Sequence, residues 1–421
     1  MSIEGTEAFA SPYAVWVRQS RYADDGRSRP RRRIAKPART ASHNRTGSLI
    51  SAFRWPPSPN LADTTVLPDR FPVQKSSSPK TAPQLESCFQ YEGKVLSQSD
   101  PGNIDVFGEQ FEKIASNVET VIQGKRDVID LILLGLVSEG HVLVEDVPGV
   151  GKTQLAKSLA RSVEGAFNRI QFTPDLLPSD VTGISVWDRE KRAFEFKPGP
   201  IFANIVVGDE INRASPKTQS SLLEAMAERQ VTSDGVTREL PLPFMVIATQ
   251  NPLEHEGTYP LPEAQLDRFM MQVVIGYPGR EKELEMLDTH GIRSTFLDLQ
   301  PVVRVEEVHE MIAIAREVAV SQSVKNYIVD LVEGTRLHPD VMLGASPRSA
   351  LFLQALARSR AASTGRDYVM PDDIKALAHP VLEHRLALRP EAQMRGETVT
   401  DLIDDVLGRL RVPGTKSRIA T

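Results

Sequence analysis

Four short stretches of this 421-residue sequence carry residues whose types and spacing suit phosphate chemistry. The first is a glycine-rich loop made of Pro148, Gly149, Val150, Gly151, Lys152 and Thr153. It lies between a short apolar run, His141-Val-Leu-Val-Glu145, and a helical pattern carried by Leu155, Leu159 and Ala160. Strand, glycine-rich loop and helix in that order turn backbone N–H groups and a helix start toward phosphate oxygens. Lys152 would neutralise the outer phosphates, and the Thr153 hydroxyl would help to hold Mg²⁺. Asp146 stands where the strict pattern has its first glycine, so a chance glycine-rich turn stays open for this stretch read alone.

The second stretch, Ile205-Val-Val-Gly-Asp-Glu210, is an apolar strand ending in two carboxylates. Asp209 can orient Mg²⁺ through its water shell, and Glu210 can act as general base on an attacking water. The third is Phe244-Met-Val-Ile-Ala-Thr249, followed by Gln250 and Asn251, an amide that can position water or sense a terminal phosphate. The fourth, Leu261-Pro-Glu-Ala-Gln-Leu-Asp-Arg-Phe269, presents Arg268 after a short helix; an arginine there can offset charge developing on a transferring phosphoryl group. Read singly, the carboxylate pair is also compatible with a solvated strand end, and Arg268 with a surface ion pair. Their succession favours the chemical reading.

The elements that must hold these residues follow from periodicity. Phe107, Phe111, Ile114, Val118 and Val121 recur at helical spacing, Gly124 interrupts, and Val128 to Leu134 opens a second apolar helix. Ile184-Ser-Val-Trp and Ala193-Phe-Glu-Phe196 alternate around the charged tip 188–192, which predicts a β-hairpin. Val231 to Thr237 predicts a second, turning at Asp234-Gly235. Both hairpins could be plain sheet decoration. After Tyr277-Pro278 strands are no longer expected, and helices are predicted over Glu281–Leu287, Val305–Val318, Val324–Leu337, Ala350–Ala362 and Asp372–Leu386. The domains expected are a tail at 1–104, an α/β core at 105–277, a small helical lid at 278–390 and a partly helical extension at 391–421.

The tail is distinct in composition. Residues 1–50 hold ten Lys/Arg against four Asp/Glu, and residues 1–104 hold 11 of the 30 prolines. No apolar period runs through it, so it is expected to be disordered. A solvated tail, a basic arm and a true start further along the chain are alternative readings. Residues 105–421 carry a net charge of −11, which argues against nucleic acid as the partner. Cys88 is the single cysteine, excluding a disulfide framework and fitting a reducing, cytoplasmic location. No run of residues reaches the length of a membrane span, and the histidines show no metal-ligand spacing.

The order of the motifs resembles AAA+ ATPases, and specifically the MoxR family. The resemblance covers about 105–390 and is carried by Glu145–Thr153, Phe172–Gly183, Gly208–Gln219, Ala248–Pro252 and Leu261–Phe269. It implies an α/β AAA+ P-loop core with a parallel sheet and a small all-helical lid. It further implies ATP and Mg²⁺ as ligands, Asn251 as sensor 1, Arg268 as an arginine finger acting on a neighbouring subunit, and Arg348 in Ala345-Ser-Pro-Arg348 as sensor 2. A homo-oligomeric, hexameric ring is implied, acting as a chaperone on a client protein, with a von Willebrand factor A-domain protein as a co-partner. Family members belong to a clade whose two hairpin insertions face the ring pore or partners. A nucleic-acid motor, a nucleotide-gated scaffold with little turnover, and a magnesium-chelatase-like subunit are the rival readings.

Overall fold

The computed structural model describes residues 101–146, 149–251, 257–277, 279–281, 283–284 and 298–413. In chain order these form α1 (Pro101–Glu119), α2 (Arg126–Val137), β1 (Val142–Glu145), α3 (Lys152–Ser162), β2 (Phe167–Gln171), α4 (Pro178–Thr182), β3 (Gly183–Asp188) and β4 (Ala193–Pro198). Then come β5 (Ile205–Asp209), α5 (Pro216–Glu228), β6 (Gln230–Ser233), β7 (Val236–Glu239), β8 (Met245–Gln250), α6 (Glu263–Leu266) and β9 (Met271–Val273). The C-terminal part consists of α7 (Val305–Glu317), α8 (Gln322–Leu337), β10 (Val341–Leu343), α9 (Pro347–Ser363), α10 (Pro371–Leu382), β11 (Ala387–Leu388), α11 (Pro390–Met394) and α12 (Val399–Arg409).

The centre is a five-stranded parallel sheet in the order β2-β5-β8-β1-β9. Alternate residues of its strands enter opposite layers, as the two-residue repeat of a strand requires. Val142, Val144, Ile205, Val207, Met245 and Ile247 pack with α1, α2, α3 and the helical lid, while Leu143, Val206, Val246 and Ala248 pack with α5. Apolar side chains on both faces of the inner strands explain why these strands read as continuous apolar runs. Every one of these strands points its carboxyl end at the same edge of the sheet, the place where open α/β sheets gather their chemistry.

Both expected hairpins are present, β3 with β4 and β6 with β7, the second turning at Asp234-Gly235 with both residues at positive φ. The predicted lid helices are present over 305–317, 322–337, 347–363 and 371–382; the one expected over Glu281–Leu287 lies mostly outside the described residues. Two expectations need correction. The lid is helical but not strand-free: β10 and β11 form a short antiparallel pair. At three and two residues they are too short to show a period, and they pair across more than 40 residues. The first helix also starts at Pro101, inside the stretch read as tail, because Ile104 is buried with Phe107 against the core. The remainder of the tail lies outside the described residues.

At the C-terminus, α12 is capped by a reciprocal Thr398–Asp401 pair and buries Leu402, Ile403 and Val406. Its contacts with α8 and α10 make it part of the lid. No helix among the described residues is long and apolar enough to cross a membrane.

Candidate functional site

The loop after β1 enters α3 through Gly151, and both Gly149 and Gly151 hold φ near +90°, a conformation that L side chains resist. Among the described residues, a side chain at Gly149 would meet nothing within 4 Å. Pro148 lies outside the described residues. Lys152 opens α3 and donates from Nζ to the Asp146 carbonyl at 2.7 Å. Asp146 itself is buried and accepts the Gly276 N–H on Oδ2 at 2.6 Å, tying the loop to the chain just beyond β9. Lys125 donates to the Tyr277 carbonyl at 2.8 Å. Burial pulls its ammonium pKa down and the Asp146 charge pushes it back up, with a net lowering.

Asp209 ends β5 beside this loop. Thr153 Oγ1 donates to Asp209 Oδ2 at 3.1 Å, and Thr249 Oγ1 donates to Oδ1 at 3.2 Å. The two halves of the site, far apart in sequence, are therefore joined by a hydrogen bond. Thr249 also accepts the Glu210 N–H at 3.0 Å. Glu210 sits at φ 58°, a left-handed value that a non-glycine residue adopts at a cost and that recurs at functional positions. The turn lifts the Glu210 carboxylate off the strand direction. There it accepts from Gln171 Nε2 at 2.8 Å and pairs with Arg213 at 3.2 Å.

Two residues of this cluster escape sequence reasoning. Arg169 Nε lies 2.5 Å from Asp209 Oδ2, and Gln171 reaches Glu210. Both stand on β2, whose register sets Gln171 opposite Asp209. They are two residues apart and so share one face. Their signal was weak because β2 is an edge strand, and only Ile170 of Phe167-Asn-Arg-Ile-Gln171 is buried.

The remaining predicted residues distribute around this cluster. Asn251 is buried at the end of β8, between the strands that carry the loop and the acids. Arg268 follows α6, and its guanidinium has no hydrogen-bond or ion-pair partner among the described residues. Arg348 is exposed in the first turn of α9. Among the described residues, neither arginine bonds to the loop or the carboxylates. Among the described residues no group of three or more His, Cys, Asp or Glu could hold a metal ion by itself. The oxygen set offered by Thr153 and Asp209 suits instead a hard cation that keeps waters and shares phosphate oxygens.

A parallel sheet with a phosphate loop at the end of β1, paired carboxylates at the end of β5 on the far side of β8, and a helical lid defines an AAA+ nucleotide-binding module. The model of the ATPase family associated with various cellular activities (AAA) matches residues 141–271, and that of the AAA lid domain matches 333–406. Chaperone MoxR1 of Mycobacterium tuberculosis is 41% identical over 311 residues, covering 72% of this chain and 82% of that one. Protein YeaC of Bacillus subtilis, uncharacterized, is 48% identical over 307 residues, covering 73% and 96%. A crystal structure from Cytophaga hutchinsonii, whose protein carries a provisional ATPase name, is 38% identical with a TM-score of 0.70, covering 74% and 97%. The chain belongs to the MoxR family of AAA+ ATPases.

Proposed function

We propose that this chain is a Mg²⁺-dependent ATPase that works as a homo-oligomeric ring, with six subunits expected, and uses hydrolysis to remodel or mature a partner protein complex. The observation that carries the reading is the Thr153–Asp209 bond with Glu210 beside it, which unites the phosphate loop with the acidic strand end. The chaperone role follows the name of the M. tuberculosis relative. The ring, the client and a von Willebrand factor A-domain co-partner follow the family resemblance, and a cytoplasmic location follows the single cysteine, Cys88.

The residues divide the work as follows. The N–H groups of 149–153 and the Lys152 ammonium bind the phosphates of ATP. Thr153 and Asp209 are the oxygens that would hold Mg²⁺; when bound, the ion supplies positive charge against the β- and γ-phosphate oxygens. Glu210 takes a proton from water as the water attacks the γ-phosphorus in line, and the bond to the β-phosphate oxygen breaks to give ADP and phosphate. Asn251 positions that water. Arg268 of a neighbouring subunit offsets charge on the transferring group, a contribution of roughly 10³–10⁵ in rate where such arginines act. Arg348 carries the lid onto the phosphates.

The test is ATP turnover against protein concentration, with mass from light scattering, for wild type, Glu210→Gln and Arg268→Ala. Turnover that rises as rings form, with each variant inactive alone and partial recovery on mixing the two, is the expected result. Turnover that is nil in assembled wild-type rings, or indifferent to Arg268, overturns it. A nucleotide-gated scaffold is the second reading, favoured by the engagement of Glu210 with Gln171 and Arg213.

A further inference from the structure

The segment that presents Arg268 is fastened to the lid on both sides of that residue. Asp267 accepts on Oδ1 from Ser346 Oγ at 2.8 Å and from Arg385 Nε at 3.1 Å. Arg385 also donates to the carbonyls of Met270, at 3.3 Å, and Phe269. His384 Nε2 donates to the Phe269 carbonyl at 3.3 Å. Residues 267, 269 and 270 are thus held by the lid turn 383–385, while the guanidinium between them has no partner among the described residues.

This is not a loose surface contact. The Arg385 side chain is 2% exposed, and a buried cation is tolerated only where anions and carbonyls surround it. Burial pulls its pKa down to about 10 in spite of Asp267, and Arg348 adds a further push downward. Ser346 supplies a second sign. It occupies the cap position of α9, yet its side chain caps no helix N–H and is turned to Asp267 instead. A serine at that place ordinarily stabilises its helix by capping. Two residues further on, in the same first turn, is Arg348.

We infer that Asp267, Ser346 and Arg385 form a clasp that positions Arg268 for the neighbouring subunit and joins it rigidly to the lid that carries Arg348. Lid movement in one subunit then moves the arginine offered to the next. The inference rests on the shared-site ATPase reading, and these three are positioning residues that act through Arg268.

The test uses full-length chain and the Glu210→Gln partner, which offers a sound Arg268 but has a dead site of its own. Asp267→Asn is expected to lower turnover at least tenfold, to bind a fluorescent ATP analogue within twofold of wild type, and to regain turnover when mixed with Glu210→Gln, as Arg268→Ala does. Ser346→Ala, which strands no buried charge, is expected to fall about threefold and to recover in the same way. A merely structural or own-site role predicts lost analogue affinity and no recovery on mixing; either result for both variants overturns the clasp, as does undiminished turnover. If Arg268→Ala itself is not rescued by Glu210→Gln, the shared-site reading fails and the clasp falls with it. If that control recovers and both clasp variants do not, the clasp alone is wrong.

Discussion

Asp146 and Gly276 are joined by a carboxylate-to-amide hydrogen bond of 2.6 Å, across 130 positions of sequence. The bond fastens the mouth of the phosphate loop to the point where the core hands over to the lid. Asp146, where the loop consensus has glycine, thereby acts as a brace. Reverting it to the consensus, Asp146→Gly, strands the Gly276 N–H and removes the charge beside Lys125. Loss of a partly buried, charge-assisted bond costs about 1–3 kcal/mol. Urea unfolding is expected to reveal that loss, and an equally stable Asp146→Gly protein would refute the brace.

Arg169 and Thr153 converge on the same oxygen of Asp209. The guanidinium therefore competes for the charge that a divalent cation would use. Arg169→Met is expected to lower, by several-fold, the Mg²⁺ concentration at which a fluorescent ATP analogue binds half-maximally. Titrating Mg²⁺ at fixed analogue measures it; an unchanged or higher requirement contradicts the competition.

Much of this site was legible in the sequence because its parts are local. The loop between β1 and α3, the acids after β5 and Asn251 after β8 each follow an apolar run buried on both faces, a pattern that needs no partner to be recognised. The Asp234-Gly235 turn carries its own signal. What was hidden depends on pairing at a distance. Arg169 and Gln171 matter only through the register of an edge strand with one buried residue. The Asp267 clasp joins residues 79 and 118 positions apart, and Arg385 reads as an ordinary charged residue until burial shows otherwise.

His141, just before β1, is wholly enclosed. Its Nδ1 accepts the Val246 N–H at 3.0 Å, so Nε2 carries the proton donated to the Met226 carbonyl. Burial depresses its pKa from 6.5 to about 4, with the Met226 bond opposing and the Arg229 charge assisting. Above pH 6.5 the ring is neutral in folded and unfolded chain alike, and its contribution to stability is complete. Between 6.5 and about 4 the unfolded chain binds a proton that the folded one refuses, so stability falls with pH. His384, lowered by burial and then by Arg385, acts in the same sense. Unfolding free energy is expected to drop by about 2 kcal/mol from pH 7.5 to 5 on account of His141. His141→Gln should flatten that part of the profile; a slope equal to wild type contradicts the assignment.

The β3–β4 hairpin separates an anchored base from an exposed outer pair. At its base the Arg238 guanidinium, from the second hairpin, lies 3.7 Å over the Phe196 ring, and Phe196 packs edge-on against Phe202. Further out, Trp187 and Phe194 meet edge to face with centroids 5.2 Å apart, yet are 50% and 72% exposed. An aromatic pair that buries so little of itself adds little to folding, about 0.5–1.5 kcal/mol. Phe194→Ala is therefore expected to change unfolding free energy by no more than that and to leave basal ATP turnover unaltered. Phe172→Ala, in the core beneath α5, should cost about 3–5 kcal/mol. The Arg238→Ala protein should behave differently from both. Loss of the stack frees one hairpin from the other, so amide exchange should quicken in β3, β4, β6 and β7 while β1, β5 and β8 keep their protection. Exchange that quickens throughout the sheet, or in neither hairpin, would show that the stack does not couple them.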